Sequence, residues 1–192
     1  MEVENFLKEY AEKLSSILLH VSENSVKSIT NFVIDCNDLE DKYLIQDIRN
    51  SAKFQKMFNE LKTIEHNPCL YYFEILSDIS NEKIIEKFAA CKKSKPARNN
   101  IVPQNSKILY VGKVESCIWG RLIMHLGFHT NKNQGNPQES NVHGLYLSDW
   151  TKGLELKLKF TILEFEKNMI DLMEVMEKSL AKKLQPIIGK HK

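Results

Sequence analysis

The chain reads as an α+β protein: a small central β-sheet flanked by helices, with an N-terminal helical extension. Three observations predict this. Over residues 66–192 the apolar period alternates between strand and helix, in the order strand, helix, strand, helix, loop, strand, helix. Over residues 1–65 the pattern is mainly helical. Glycine, the residue of turns with positive φ, is confined to the second part, where all seven lie at or after Gly112.

Each element has its own signal. Residues 3–21 set Val3, Phe6, Leu7, Tyr10, Leu14, Ile17, Leu18 and Val21 on one stripe, which predicts an amphipathic helix. A second helical stretch is expected over 25–34, weakened by its β-branched residues. Leu39 to Leu61 again reads helical, with a break near Asn50-Ser51. None of these stretches gathers catalytic residue types, so 1–65 is expected to be a helical extension and 66–192 the functional domain. Pro68 ends the helical pattern, and 69–76 reads as a buried strand. Ser80 or Asn81 caps a helix over 81–91, and a loop carrying Lys92, Lys93, Lys95 and Arg98 follows. Ile108 to Val111 reads as a strand that breaks at Gly112. A helix over 117–126 stops at Gly127, and 128–142 is a polar loop rich in Asn, Gln, Gly and Pro. Residues 143–150 suggest a short strand. Residues 154–164 alternate cleanly as a half-buried one. From 168 to 184 the helical period returns, with Ile170, Met173, Met176, Leu180 and Leu184 on its stripe, and Pro186 and Gly189 end it.

Composition narrows the function classes. No apolar run approaches the roughly 20 residues of a membrane helix. The N-terminus is acidic and amphipathic, unlike a signal or transit peptide, and points to a cytoplasmic protein. Cys36, Cys69, Cys91 and Cys117 are scattered without a CxxC, so free thiols are expected rather than disulfides or a zinc knuckle. Net charge is +2, but residues 1–65 carry 12 acids and 8 bases while 66–192 carry 13 acids and 19 bases. The second part therefore has the charge to accept a polyanion, and the first argues against wrapping one all round.

The candidate chemistry lies in Lys107 to Gly127. Tyr110 lies on a strand just before Gly112, Lys113 follows Gly112, and Arg121 and His125 stand four apart on one helical face. Arg offers a planar fork to two phosphoryl oxygens, Lys a point charge, and Tyr and His can move protons. His125 and His129 have the spacing of a zinc pair, but Gly127 ends the helix between them.

Four fragments in order carry a resemblance: Pro68-Cys69-Leu70-Tyr71, Tyr110-Val111-Gly112-Lys113, Arg121-x-x-x-His125, and Glu177 nine residues before Pro186. Over about residues 66–192 the chain resembles the GIY-YIG nuclease family, the group of the excinuclease C N-terminal domain and of certain homing and restriction endonucleases. The first fragment stands where that family has GIY and the second where it has YIG. The resemblance implies a GIY-YIG-like sheet and a divalent-metal-dependent endonuclease that hydrolyses DNA phosphodiester bonds in restriction, defence or repair. It implies Tyr71, Tyr110, Arg121, His125 and Glu177 as catalytic residues and Glu177 as the ligand of Mg²⁺ or Mn²⁺. DNA is the implied partner, contacted by Lys113 and the basic loop at Lys92, Lys93, Lys95 and Arg98. Chemically, Arg121 binds the scissile phosphate, and Tyr71 or Tyr110 takes a proton from water, which needs a phenol pKa below its ordinary value near 10. His125 accepts or relays that proton, or orients a tyrosine.

Three departures stand beside the match. Cys69 replaces the first glycine, the segment between the tyrosines is longer than the family's hairpin, and Gly189 stands where an asparagine often follows the late proline. The alternatives are a nucleic-acid-binding module without turnover and a protein-interaction module that docks through the helix at 3–21.

Overall fold

A computed structural model describes residues 2–24, 26–91, 105–128 and 144–189. In chain order its elements are α1 (Glu2–Asn24), β1 (Ser28–Asp35), α2 (Gln55–Thr63), β2 (Cys69–Ile75), α3 (Asn81–Ala90), β3 (Ile108–Val114), α4 (Ile118–Leu126), α5 (Leu147–Trp150), β4 (Lys157–Glu164) and α6 (Met173–Leu184). The strands form one antiparallel sheet in the order β1-β4-β2-β3. The class is therefore α+β, as expected.

Cross-strand rows explain the core. Phe32, Phe160, Phe73 and Tyr110 lie opposite one another across all four strands, and the rings of Phe73 and Phe160 stack at 4.6 Å. The next row is Thr30, Ile162, Tyr71 and Gly112. This face packs on Phe58 and Leu61 of α2, Ile118 and Leu122 of α4, and Leu147 and Trp150 of α5. The opposite face presents Leu70 to a second cluster built from Ile17 of α1 with Phe165, Met169, Leu172 and Met173. Both faces are thus covered, which is why β2 is buried at almost every position. Main-chain bonds from Ile187 and Ile188 to the carbonyls of Ile108 and Leu109 (2.9 and 3.0 Å) close part of the outer edge of β3.

Several expectations are corrected. Residues 28–35 form strand β1, not helix, because Ile29, Thr30, Val33 and Ile34 suit a pleated surface and find a full-length partner in β4. With β1 in the sheet, and Tyr43, Ile48, Phe54 and Phe58 in the same core as Tyr71, residue 65 does not separate a helical extension from the rest. Between 36 and 50 the chain makes three short 3-10 turns, leaving α2 as the only α-helix of the 39–61 stretch. Asp35 and Asp47 accept the backbone N–H groups of Asn37 and Arg49, a local bonding that competes with a continuous helix. Strand β3 does not break at Gly112 but runs through it to Val114, at the edge of the sheet. Residues 147–150 are a helical turn rather than a strand. Helix α1 is present, but among the described side chains of its stripe only Ile17 is buried, while Val3, Phe6, Leu7, Tyr10 and Leu18 are exposed.

All four cysteines are free, and burial pushes the Cys36 and Cys69 thiols up to about 12, so both are inert core residues at neutral pH. Cys69 has no positive φ, so a side chain fits where the family's glycine would stand. Among the described residues no helix is long and apolar enough to cross a membrane.

Glu164 ties the sheet together at the end of β4. Its buried carboxylate accepts from Ser28 Oγ (2.6 Å) and Asn67 Nδ2 (2.5 Å) and pairs with Lys27 Nζ (3.1 Å). Burial works to raise its pKa, but these hydrogen bonds and the Lys27 charge outweigh it and hold the carboxyl below its ordinary value. A depressed acid pKa contributes stability that is present above the unfolded value and lost as pH falls through the folded one. Glu164→Gln should therefore cost about 1–3 kcal/mol in urea unfolding at pH 7. The gap to wild type should shrink below about pH 4. An undiminished gap at pH 3 would contradict the assignment.

Candidate active site

Strand β3, helix α4 and helix α6 border a cleft of about 770 Å³ whose lining includes Lys113, Glu115, Trp119, Arg121, Met124 and Glu177. Helix α4 is bounded by left-handed residues at both ends, Cys117 (φ 59°) before it and Gly127 (φ 96°) after it. Between these limits Arg121 and His125, one turn apart, both point toward Tyr71. Arg121 Nε donates to Tyr71 Oη at 3.0 Å, and His125 Nε2 lies 2.8 Å from the same oxygen.

The other ring nitrogen decides the direction of that second bond. His125 Nδ1 accepts the backbone N–H of Leu145 at 3.2 Å, and an amide N–H can only donate. Burial, and then the charge of Arg121, hold the imidazole well below its ordinary pKa, so the ring is neutral. Its single proton therefore sits on Nε2 and is donated to Tyr71. His125 orients the phenol. It cannot accept the proton of Tyr71 in this arrangement, which removes the relay role from the sequence expectation.

Tyr71 Oη thus receives two N–H groups, and its own O–H is left for Tyr110, whose bonds run to Tyr71 and Arg121. With Tyr71 Oη already accepting from Arg121 and His125, its own O–H is the group that can donate to Tyr110, so Tyr110 is the phenol whose anion this donor chain would stabilise. Tyr71 is wholly buried, while Tyr110 retains 7% of its surface. The pKa expectation is overturned in direction. Burial raises both phenols, Tyr71 strongly, and the Arg121 charge offsets only part of the rise.

Gly112 is where the packing depends on a missing side chain. It sits opposite Tyr71 in the β2–β3 register, and a Cβ there would lie 2.4 Å from Tyr71 Oη and 2.9 Å from Tyr110 Cε1. The glycine is a gap filled by the Tyr71 phenol, not the turn its sequence position suggests.

Glu177 enters from α6. Its carboxylate accepts the Lys113 backbone N–H; burial raises its pKa, against the lowering charges of Lys113 and Arg121. Among the described residues no three His, Cys, Asp or Glu side chains gather as a ready cage for a metal. One carboxylate on an open cleft nevertheless fits a hard cation that keeps most of its waters. Glu115 lines the same cleft, engaged by Lys113 at 3.4 Å.

The fold therefore gathers Tyr71, Tyr110, Arg121, His125 and Glu177, with Lys113 at the rim. Lys92, Lys93, Lys95 and Arg98 lie outside the described residues, as do His129 and most of the 128–142 loop. Sequence reading missed two contributors. Leu145 sets the histidine tautomer through a main-chain group, for which no side-chain signal exists. Glu65 braces α4 through its carbonyl to Cys117 N–H (2.5 Å) and its carboxylate to Trp119 Nε1 (2.6 Å), from a segment assigned to another domain. No family model matches the chain, and no curated protein or solved structure matches it either.

Proposed function

We propose that the protein is a divalent-metal-dependent endonuclease that hydrolyses DNA phosphodiester bonds, of the GIY-YIG kind its four fragments resemble. The observation that carries this reading is Arg121. Among the described residues it makes no salt bridge, its hydrogen bonds go to two neutral phenols, and it lines the cleft beside Glu177. A half-buried guanidinium held by neutral acceptors keeps its full charge for an anion. Arg121 binds the scissile phosphate, and Lys113 adds charge at the rim. Tyr110, the phenol at the end of the donor chain, takes the proton from the attacking water, and Tyr71 and Arg121 stabilise its anion. Glu177 would hold Mg²⁺ or Mn²⁺, which when bound supplies positive charge against the phosphoryl oxygens.

The test is nicking of supercoiled plasmid with Mg²⁺ or Mn²⁺. Wild type should nick, and Arg121→Ala should lose both cleavage and about tenfold in DNA affinity, with a melting curve to confirm folding. One observation favours a second reading, a nucleic-acid-binding module without turnover: burial raises the pKa of both phenols. Salt-dependent DNA binding with no nicking under either metal would select that reading. No DNA binding at all would exclude both.

A further inference from the structure

Trp119 lines the same cleft two residues before Arg121, and its surroundings fix it from outside. Its indole N–H is spent on Glu65 Oε2 at 2.6 Å, and the Arg49 guanidinium lies over its ring at 5.1 Å. Arg49 is itself clamped by Asp47, with Nε 2.9 Å from both carboxylate oxygens and Nη2 2.5 Å from Oδ2. That clamp neutralises Arg49 as a phosphate contact and leaves it to stiffen the indole. With its polar atom paired, Arg49 over its ring and part of the indole packed on the main core, what Trp119 presents to the cleft is apolar π surface. A rigid aromatic face beside an unpaired guanidinium matches one nucleotide: the cation takes the phosphate and the ring takes the base.

We propose that Trp119 stacks on the base adjoining the phosphate held by Arg121, and that the preferred substrate is DNA whose bases are already unstacked, single-stranded or branched, over intact duplex. The proposal rests on the reading of the cleft as a DNA site. It follows because an aromatic side chain can stack on a base only after that base has left its own stack, at a cost that single strands do not bear. The brace comes from residues 47–65, so this substrate preference belongs to the part of the chain outside the four family-like fragments.

Tryptophan emission tests it directly, because the other tryptophan, Trp150, is only 4% exposed and its indole N–H is bonded to the Leu145 carbonyl. The wild-type chain, in EDTA to prevent cleavage, is titrated with a single-stranded oligonucleotide and with the same sequence as a duplex. Emission should be quenched by the single strand, which should bind more tightly than the duplex. Trp119→Leu should weaken single-strand binding about tenfold to a hundredfold. Its salt dependence should be unchanged, because stacking releases no counterions. Trp119→Phe keeps a ring but loses the bond to Glu65, so it should bind within about twofold of wild type. If Trp119 only braces α4, Phe will be as damaging as Leu, and the proposal fails. It also fails if Trp119→Leu binds single strands like wild type or if duplex is preferred. In those cases plasmid nicking by the wild type leaves the nuclease reading standing, whereas absence of binding to any DNA overturns both.

Discussion

Glu177→Gln should lower plasmid nicking by about a hundredfold or more while DNA binding survives or tightens. The substitution keeps size and helix propensity and removes only the charge that would hold a divalent cation. It also removes a carboxylate whose pKa burial has raised, with Lys113 and Arg121 pulling the other way. The sign of that shift has a consequence for stability. An acid with a raised folded pKa favours the protonated form on folding, so its charge costs stability at neutral pH, and wild type gains as pH falls through that range. The glutamine variant should therefore melt no lower than wild type at pH 7 and should lack that part of the acid-side gain. Activity lost without stability lost marks a residue kept for function. Glu174 is the control: it is exposed, paired with Lys178 at 2.9 Å, and one turn earlier on α6. Glu174→Gln should nick like wild type. Equal damage from the two variants would remove the metal from Glu177 and reduce the family resemblance to one of fold.

Gly112→Ala should cost about 3 kcal/mol or more in urea unfolding and abolish nicking with it. The added methyl would meet Tyr71 Cζ at 2.5 Å as well as Oη at 2.4 Å, so rotating a hydroxyl does not relieve it. Nor can the ring withdraw, since Phe73, Phe160 and His125 surround it with centroids 5.5–6.2 Å away. Either β3 moves out from β2 or the phenol leaves Arg121 and His125, and both outcomes dismantle the donor chain. Gly120→Ala supplies the contrast: its Cβ would meet only the flexible Cys117 Sγ at 2.9 Å, and alanine is the better helix former. Gly120→Ala should leave the urea midpoint within about 1 kcal/mol of wild type or raise it. A Gly112→Ala chain as stable as wild type would mean that Tyr71 is not seated over the β3 backbone.

What the sequence determined by itself were the features carried by a single segment. The strands expected at 69–76 and 154–164 and found at 69–75 and 157–164, the helix α1, the helix α4 with its stop at Gly127, the shared face of Arg121 and His125, and the last helix, expected from 168 but α-helical only from Met173, all follow from period and caps. Period reports how one segment would place its own apolar surface, and for these segments the tertiary environment agreed. Only the tertiary structure decided the rest. Residues 28–35 are extended because β4 offers eight partners, and that one pairing turned an expected extension into the edge of the sheet. The neutral Nε2–H form of His125 depends on the main chain of Leu145, twenty residues on. The direction of the tyrosine pKa shifts depends on burial among side chains of other elements, which outweighs the nearby Arg121 charge that the sequence made visible. Gly112 was legible as a glycine, but its reason is the Tyr71 ring across the strand pair. Pairing, burial and hydrogen-bond direction are properties of two or more segments at once, and no single stretch of residues encodes them.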